Sequence, residues 1–234
     1  MKALIKFLLT AASLIIFFCC SSFPQVRVSA GADIYSRYNW RGLDFGDSPS
    51  FQPSLSLGIG GFVIGAWGAY NFFSDSIPVY SENDLFASYS ITTASSGSFS
   101  ILYTDYYYPS SGLSFFKYNI NGSHVLEAGL GYSGPVSFPI QLNGYYNFKN
   151  DPDKSAYIQV GYPVTVNEIS LLFVAGFTPA ASAWYATTKA GLINLGIAAT
   201  KNVLITDKFN LPVHVCYILN PYLKQSFLIA GISL

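Results

Sequence analysis

Residues 26–41 alternate strictly. Val28, Ala30, Ala32, Ile34, Ser36, Tyr38 and Trp40 fall on one face of an extended chain, and Arg27, Ser29, Gly31, Asp33, Tyr35, Arg37, Asn39 and Arg41 on the other, so every charge lies on one side. Successive side chains of a strand point to opposite faces. The first set suits lipid and the second a polar lumen, with Tyr38 and Trp40 at the height of an aromatic girdle. A half-buried strand of a soluble sandwich would alternate in the same way, and what separates the two is repetition. Strands are predicted at 26–41, 50–59, 62–72, 81–92, 98–107, 123–132, 137–148, 154–164, 168–178, 188–205, 211–219 and 225–234. Most are near the roughly 9–11 residues that a tilted membrane-spanning strand needs.

Twelve is an even number, and the connections alternate in length. From a periplasmic start, the long segments 42–49, 73–80, 108–122 and 179–187 fall outside, while Gly60-Gly61, 93–97 and 133–136 are short and inside. Asn150-Asp151-Pro152-Asp153 and Asn220-Pro221 are turn-forming clusters on the outer side of the same count. The expected fold is all-β: a transmembrane antiparallel up-and-down β-barrel of about 12 strands. Lipid offers no hydrogen-bond partners, so a closed sheet is one of two spanning solutions, and nothing after the N-terminal leader is long and apolar enough to be the other. Two segments fit less well. Asp105 falls on the face of Phe99, Ile101 and Tyr103, which implies a bulge or a rim position, and the long stretch 193–205 implies a bulge near Lys201-Asn202.

Composition points the same way. With 51% hydrophobic, 17% aromatic and only 10% charged residues, a soluble chain of this length would be sticky, whereas a bilayer would cover the surface. Lys2 and Lys6 followed by the apolar run 8–18 read as an export signal, cleaved between Cys20 and Gln25. Lipoprotein processing at Cys19 or Cys20 is the alternative. The predicted organisation is a signal peptide over 1–25 and a barrel over 26–234, placed in the bacterial outer membrane. Losing Lys2 and Lys6 leaves 10 basic residues against 12 acidic ones, a balance with no nucleic-acid footprint. Cys216 is the one cysteine clearly retained, so no intrachain disulfide is expected and a buried, inert thiol is.

The end of the first strand, Ser36-Arg37-Tyr38-Asn39-Trp40-Arg41-Gly42, resembles the opening strand of the TorF-type porins, a family also described as the Gcw_chp domain of unknown function. The resemblance covers 26–234 and implies a signal-bearing outer-membrane barrel of about this size; it supplies no catalytic residue. The final strand places Leu228, Ala230, Ile232 and Leu234 on one face and ends the chain. It thus resembles the signal read by the outer-membrane assembly machinery, except that Leu234 stands where an aromatic residue is usual.

In this phase the inward charges are Asp33, Arg37 and Arg41 on the first strand, Glu82 and Asp84 on the fourth and Glu127 on the sixth. They would either tune a constriction, as charged rings do in pores, or pair to satisfy one another. Tyr35, between Asp33 and Arg37, is the tyrosine best placed for solute contact. Clusters such as 106–108 and Tyr145-Tyr146 are expected at the membrane interfaces. The functional expectation is a narrow passive pore for small hydrophilic solutes, with outer-membrane lipids and the assembly machinery as its other partners. The alternative is a non-conducting barrel that binds a partner through outer loops, 108–122 above all. No enzyme is expected. Ser123 and His124 are adjacent and so point apart, and no serine or carboxylate is suggested beside His214. Nor does any cysteine–histidine spacing or glycine-rich loop suggest a metal or cofactor.

Overall fold

The computed structural model describes residues 25–73 and 79–234; the predicted leader falls outside them except for Gln25. The strands are β1 (Val26–Tyr35), β2 (Asn39–Trp40), β3 (Leu43–Asp44), β4 (Ser50–Ile59), β5 (Phe62–Asn71), β6 (Ser81–Thr93), β7 (Gly97–Tyr107), β8 (His124–Ser133), β9 (Gln141–Lys149), β10 (Ala156–Val166), β11 (Ile169–Thr178), β12 (Gly191–Thr206), β13 (Phe209–Asn220) and β14 (Gln225–Ser233). All but β2 and β3 form a closed, up-and-down antiparallel barrel of twelve strands. Among the described residues no helix is long and apolar enough to cross a membrane. The fold is compatible with an outer-membrane protein, since closure gives the backbone groups of a spanning sheet their partners.

The alternation sets what each face meets. Val28, Leu130 and Leu228 are 67%, 67% and 72% exposed on the outside of the wall, where a soluble protein would not leave them. Phe99 and Tyr132 pair at 4.9 Å near one end, and Tyr103 and Phe148 at 6.4 Å toward the other, consistent with two aromatic girdles. β1 closes on β14 through the pairs Asp33↔Ser233, Ile34↔Ile232 and Tyr35↔Gly231. Leu234 and Ala32 extend this seam by exchanging backbone hydrogen bonds.

The first strand is shorter than its pattern suggests. β1 ends at Tyr35, and residues 36–49 leave the wall as a loop carrying β2 and β3. Tyr38 and Trp40, expected to face lipid, are instead inside: Tyr38 is 5% exposed and bonded to Glu82 on β6. Strand ends elsewhere move by one to three residues, and most of 137–140 belongs to the inner turn before β9. The irregularities of β12 lie at Ile193 in its pairing with β11 and between Leu204 and Thr206 in its pairing with β13, not at Lys201-Asn202.

Asp105 is a rim residue. It accepts from His124 Nδ1 (2.6 Å) and from the Tyr118 hydroxyl (3.1 Å). It sits outside the barrel, because its neighbour Tyr106 turns into the lumen to reach Glu127. His124 Nε2 meets the Phe115 carbonyl, and Tyr118 stacks on the imidazole at 3.7 Å. Both ring nitrogens lie against oxygen atoms, so the ring ties residues 113–118 down over the outside of β7 and β8. The aromatic run 113–116 is therefore clamped against the outer wall. Replacing His124 by Ala is expected to raise the rate of trypsin cleavage at exposed Lys117 about tenfold or more, since hydrogen bonds to charged groups hold such a loop by about 1.5–3 kcal/mol. An unchanged digestion rate would show that the loop is held elsewhere.

Candidate functional site: a hairpin across the lumen

Residues 36–49 cross the lumen as a small hairpin. β2 and β3 pair as Asn39↔Asp44 and Trp40↔Leu43, leaving a two-residue turn at Arg41 (φ 51°) and Gly42 (φ 82°). Positive φ at both positions is the type I′ pattern that suits a tight hairpin. Glycine is required at the second of these positions, because a Cβ on Gly42 would run into the Ile193 carbonyl on β12. The tip is held by Asn220 on β13, whose Nδ2 donates to the Gly42 carbonyl at 3.1 Å. Asn71 on β5 donates to the Phe45 carbonyl at 2.8 Å further along.

Arg41 is the centre of this arrangement. Its Nη1 and Nη2 donate to Glu127 on β8 at 2.6 and 2.9 Å, and Nη1 also donates to the Tyr185 hydroxyl at 2.5 Å. The guanidinium lies over Tyr145 (4.0 Å), Trp40 (4.2 Å) and Tyr157 (4.7 Å). Burial is the largest single influence and opposes its charge, but Glu127, Tyr106 and Tyr185 together outweigh it and hold Arg41 protonated well above the usual range. Tyr185 comes from the loop 179–190, stacks on Trp40 at 5.9 Å and is fully buried. Two outer loops and the wall thus converge on one cation, and such a fork-to-carboxylate pair is among the stronger side-chain contacts.

The predicted inward residues are all inward, in two groups. Arg37 pairs with Asp44 within the hairpin, and Arg41 with Glu127 across the lumen. Both pairs satisfy charge, yet Arg37, Arg41 and Glu127 also line a lumen cavity of about 740 Å³, with Asp33, Tyr35, Asp84, Trp67 and Tyr106 among the other lining groups. Glu82 accepts from Tyr38 (2.9 Å) and Tyr80 (2.8 Å); burial and then Glu82 push the Tyr80 hydroxyl far up, so it remains a donor. Cys216 is half-buried on the wall of this cavity.

Several lumen residues were not singled out by the sequence reading. Trp67, Tyr106, Tyr145 and Tyr157 have inward phase, so the aromatic clusters split: Tyr107 and Tyr146 face out, and Tyr106 and Tyr145 face in. Their position in the alternation carried that signal. Tyr185 had none, because it sits in a loop. His214 has a serine beside it after all: its Nε2 lies 2.9 Å from Ser233 Oγ, which donates to Asp33 at 2.6 Å. Barrel closure brings β1, β13 and β14 together here, far apart in sequence. The order carboxylate–hydroxyl–imidazole commits the hydroxyl proton to Asp33, not to the imidazole that a nucleophilic pair would use as base. Among the described residues no group of His, Cys, Asp or Glu is arranged to hold a metal ion.

Neither a scan of protein-family models nor a search of curated proteins finds a match to this chain.

Proposed function

We propose that this protein is an outer-membrane barrel that serves as a narrow pore for small hydrophilic solutes, with the hairpin 36–49 as the constriction near its outer end. The observation that carries this reading is the pairing of a charge-lined lumen cavity with a hairpin that spans the lumen and is pinned chiefly by Arg41 and Glu127. A barrel of this strand number lies between small filled barrels and wide water-filled ones, so an inward loop decides how much of the lumen conducts. The resemblance of residues 36–42 to the TorF-type porins supports the same reading. It assigns no enzymatic role.

Swelling of liposomes that hold the folded protein tests this, using neutral sugars, amino acids and small anions. Slow swelling that falls off steeply with solute size is expected. A folded, inserted protein that admits none of them would contradict the pore.

One observation favours a second reading, a closed barrel that binds a partner through its outer loops. Phe116 and Ile120 are 86% and 81% exposed at the edge of the clamped loop, as anchors for a partner would be. That reading expects no flux, and loss of a binding activity when 113–120 is replaced while the barrel still assembles.

A further inference from the structure

Asp84 is a lumen carboxyl with no side-chain partner among the described residues. It is 7% exposed and lines the cavity, and its Oδ1 is buried with no protein donor. Both arginines of the hairpin are committed elsewhere, Arg37 to Asp44 and Arg41 to Glu127. Glu82, two residues away on the same face, takes tyrosine hydroxyls and supplies no cation. Among the described residues no lysine, arginine or histidine pairs with Asp84.

The neighbours of Asp84 give its surroundings a chemical character. In the register of the sheet Trp67 on β5 and Tyr106 on β7 lie directly opposite Asp84 on its two sides, and all three line the cavity. Directly opposed residues on neighbouring strands are close enough for their side chains to act together. A carboxylate between two aromatic residues attracts a cation through charge, to which ring quadrupoles can add. Asn39 on the hairpin lines the same cavity, and its amide nitrogen and oxygen are both buried without a partner, which adds one donor and one acceptor.

We propose that this cavity binds a small organic ammonium ion, with Asp84 as its counter-ion, Trp67 and Tyr106 as its walls and Asn39 bonding to its polar substituents. A hard divalent ion is a poorer fit, because it requires about six or more oxygen ligands and has little use for aromatic faces. The cavity volume of about 740 Å³ lies within the range of about 300–1,000 Å³ usual for small-molecule sites. The proposal deepens the pore reading by naming the class of solute, and rests on it for solute access to the lumen.

The test uses the folded barrel in detergent micelles, with tryptophan fluorescence as the readout, because Trp40 and Trp67 both line the cavity. Titration with tetramethylammonium chloride at constant ionic strength is expected to give a saturable change that sodium chloride and the neutral isostere tert-butanol do not. Asp84→Asn is expected to weaken it about tenfold or more, and Trp67→Leu to weaken it as well. The three probes on the unaltered protein decide the matter even where a variant fails to fold. No saturable response, an equal response to tert-butanol, or full affinity in folded Asp84→Asn would overturn the proposal. Liposome swelling separates the two readings: saturable binding without flux overturns the pore and keeps the site, while flux with unaltered binding in Asp84→Asn overturns the site and keeps the pore.

Discussion

Replacing Glu127 by Ala is expected to lower the stability of the barrel by about 3–5 kcal/mol and to free the hairpin, because removing one partner of a buried ion pair leaves the other charge uncompensated. Both side chains are almost wholly enclosed, at 9% exposure for Arg41 and 2% for Glu127. Arg41 would retain its ring faces and the Tyr185 hydroxyl, but none of these carries a compensating full charge. The loss is one of orphaning, so it should not add. Combining Arg41→Met with Glu127→Leu is expected to recover most of the stability, since apolar replacement of a whole buried pair is often neutral or better. Urea unfolding in micelles checks both, and additive losses in the double variant would mean that the pair is not the pin.

Gly42→Val reaches the same hairpin by steric means. At φ +82° a β-branched residue is in a region that L side chains rarely occupy, which costs about 1–3 kcal/mol for the backbone alone. The added Cβ would also overlap the Ile193 carbonyl, a backbone atom within the wall that has little room to shift. The expected result is a hairpin that leaves its seat while the twelve-stranded wall stays intact. Trypsin is then expected to cut at Arg37 and Arg41, which the seated hairpin protects. Continued protection in the variant would show that the turn accommodates a side chain.

The wall was legible because lipid and lumen impose opposite polarity on alternate residues, and β4, β5 and β6 begin where that alternation begins. The hairpin was not, because alternation records that a neighbour is apolar without saying which neighbour it is. Tyr38 and Trp40 continue the apolar phase of β1, but the apolar surface they meet is Trp67, Tyr80, Tyr106 and Tyr185 inside the barrel. The available signal was Arg41-Gly42, a residue–glycine pair between short alternating pieces, which suits a two-residue turn. Asp105 was legible as an exception, but its explanation depended on a loop contact with Tyr118 that no strand pattern encodes. The inward charges of the wall, Asp33, Glu82, Asp84 and Glu127, were readable from phase alone, whereas Arg37 and Arg41 are inside because the hairpin carries them there and not through the phase of β1. Their pairing was not, because Arg41 meets Glu127 only after the chain has turned back into the lumen.

Single-channel conductance in a planar bilayer tests the central claim most directly, with the unaltered protein, Glu127→Ala and Gly42→Val recorded side by side. One variant removes a charge and the other adds bulk, and they share only the seating of the hairpin. Small, reproducible steps from the unaltered barrel and clearly larger steps from both variants are predicted. Steps of the same size from all three, each shown to be folded and inserted, would contradict the account of the hairpin as the constriction of the lumen.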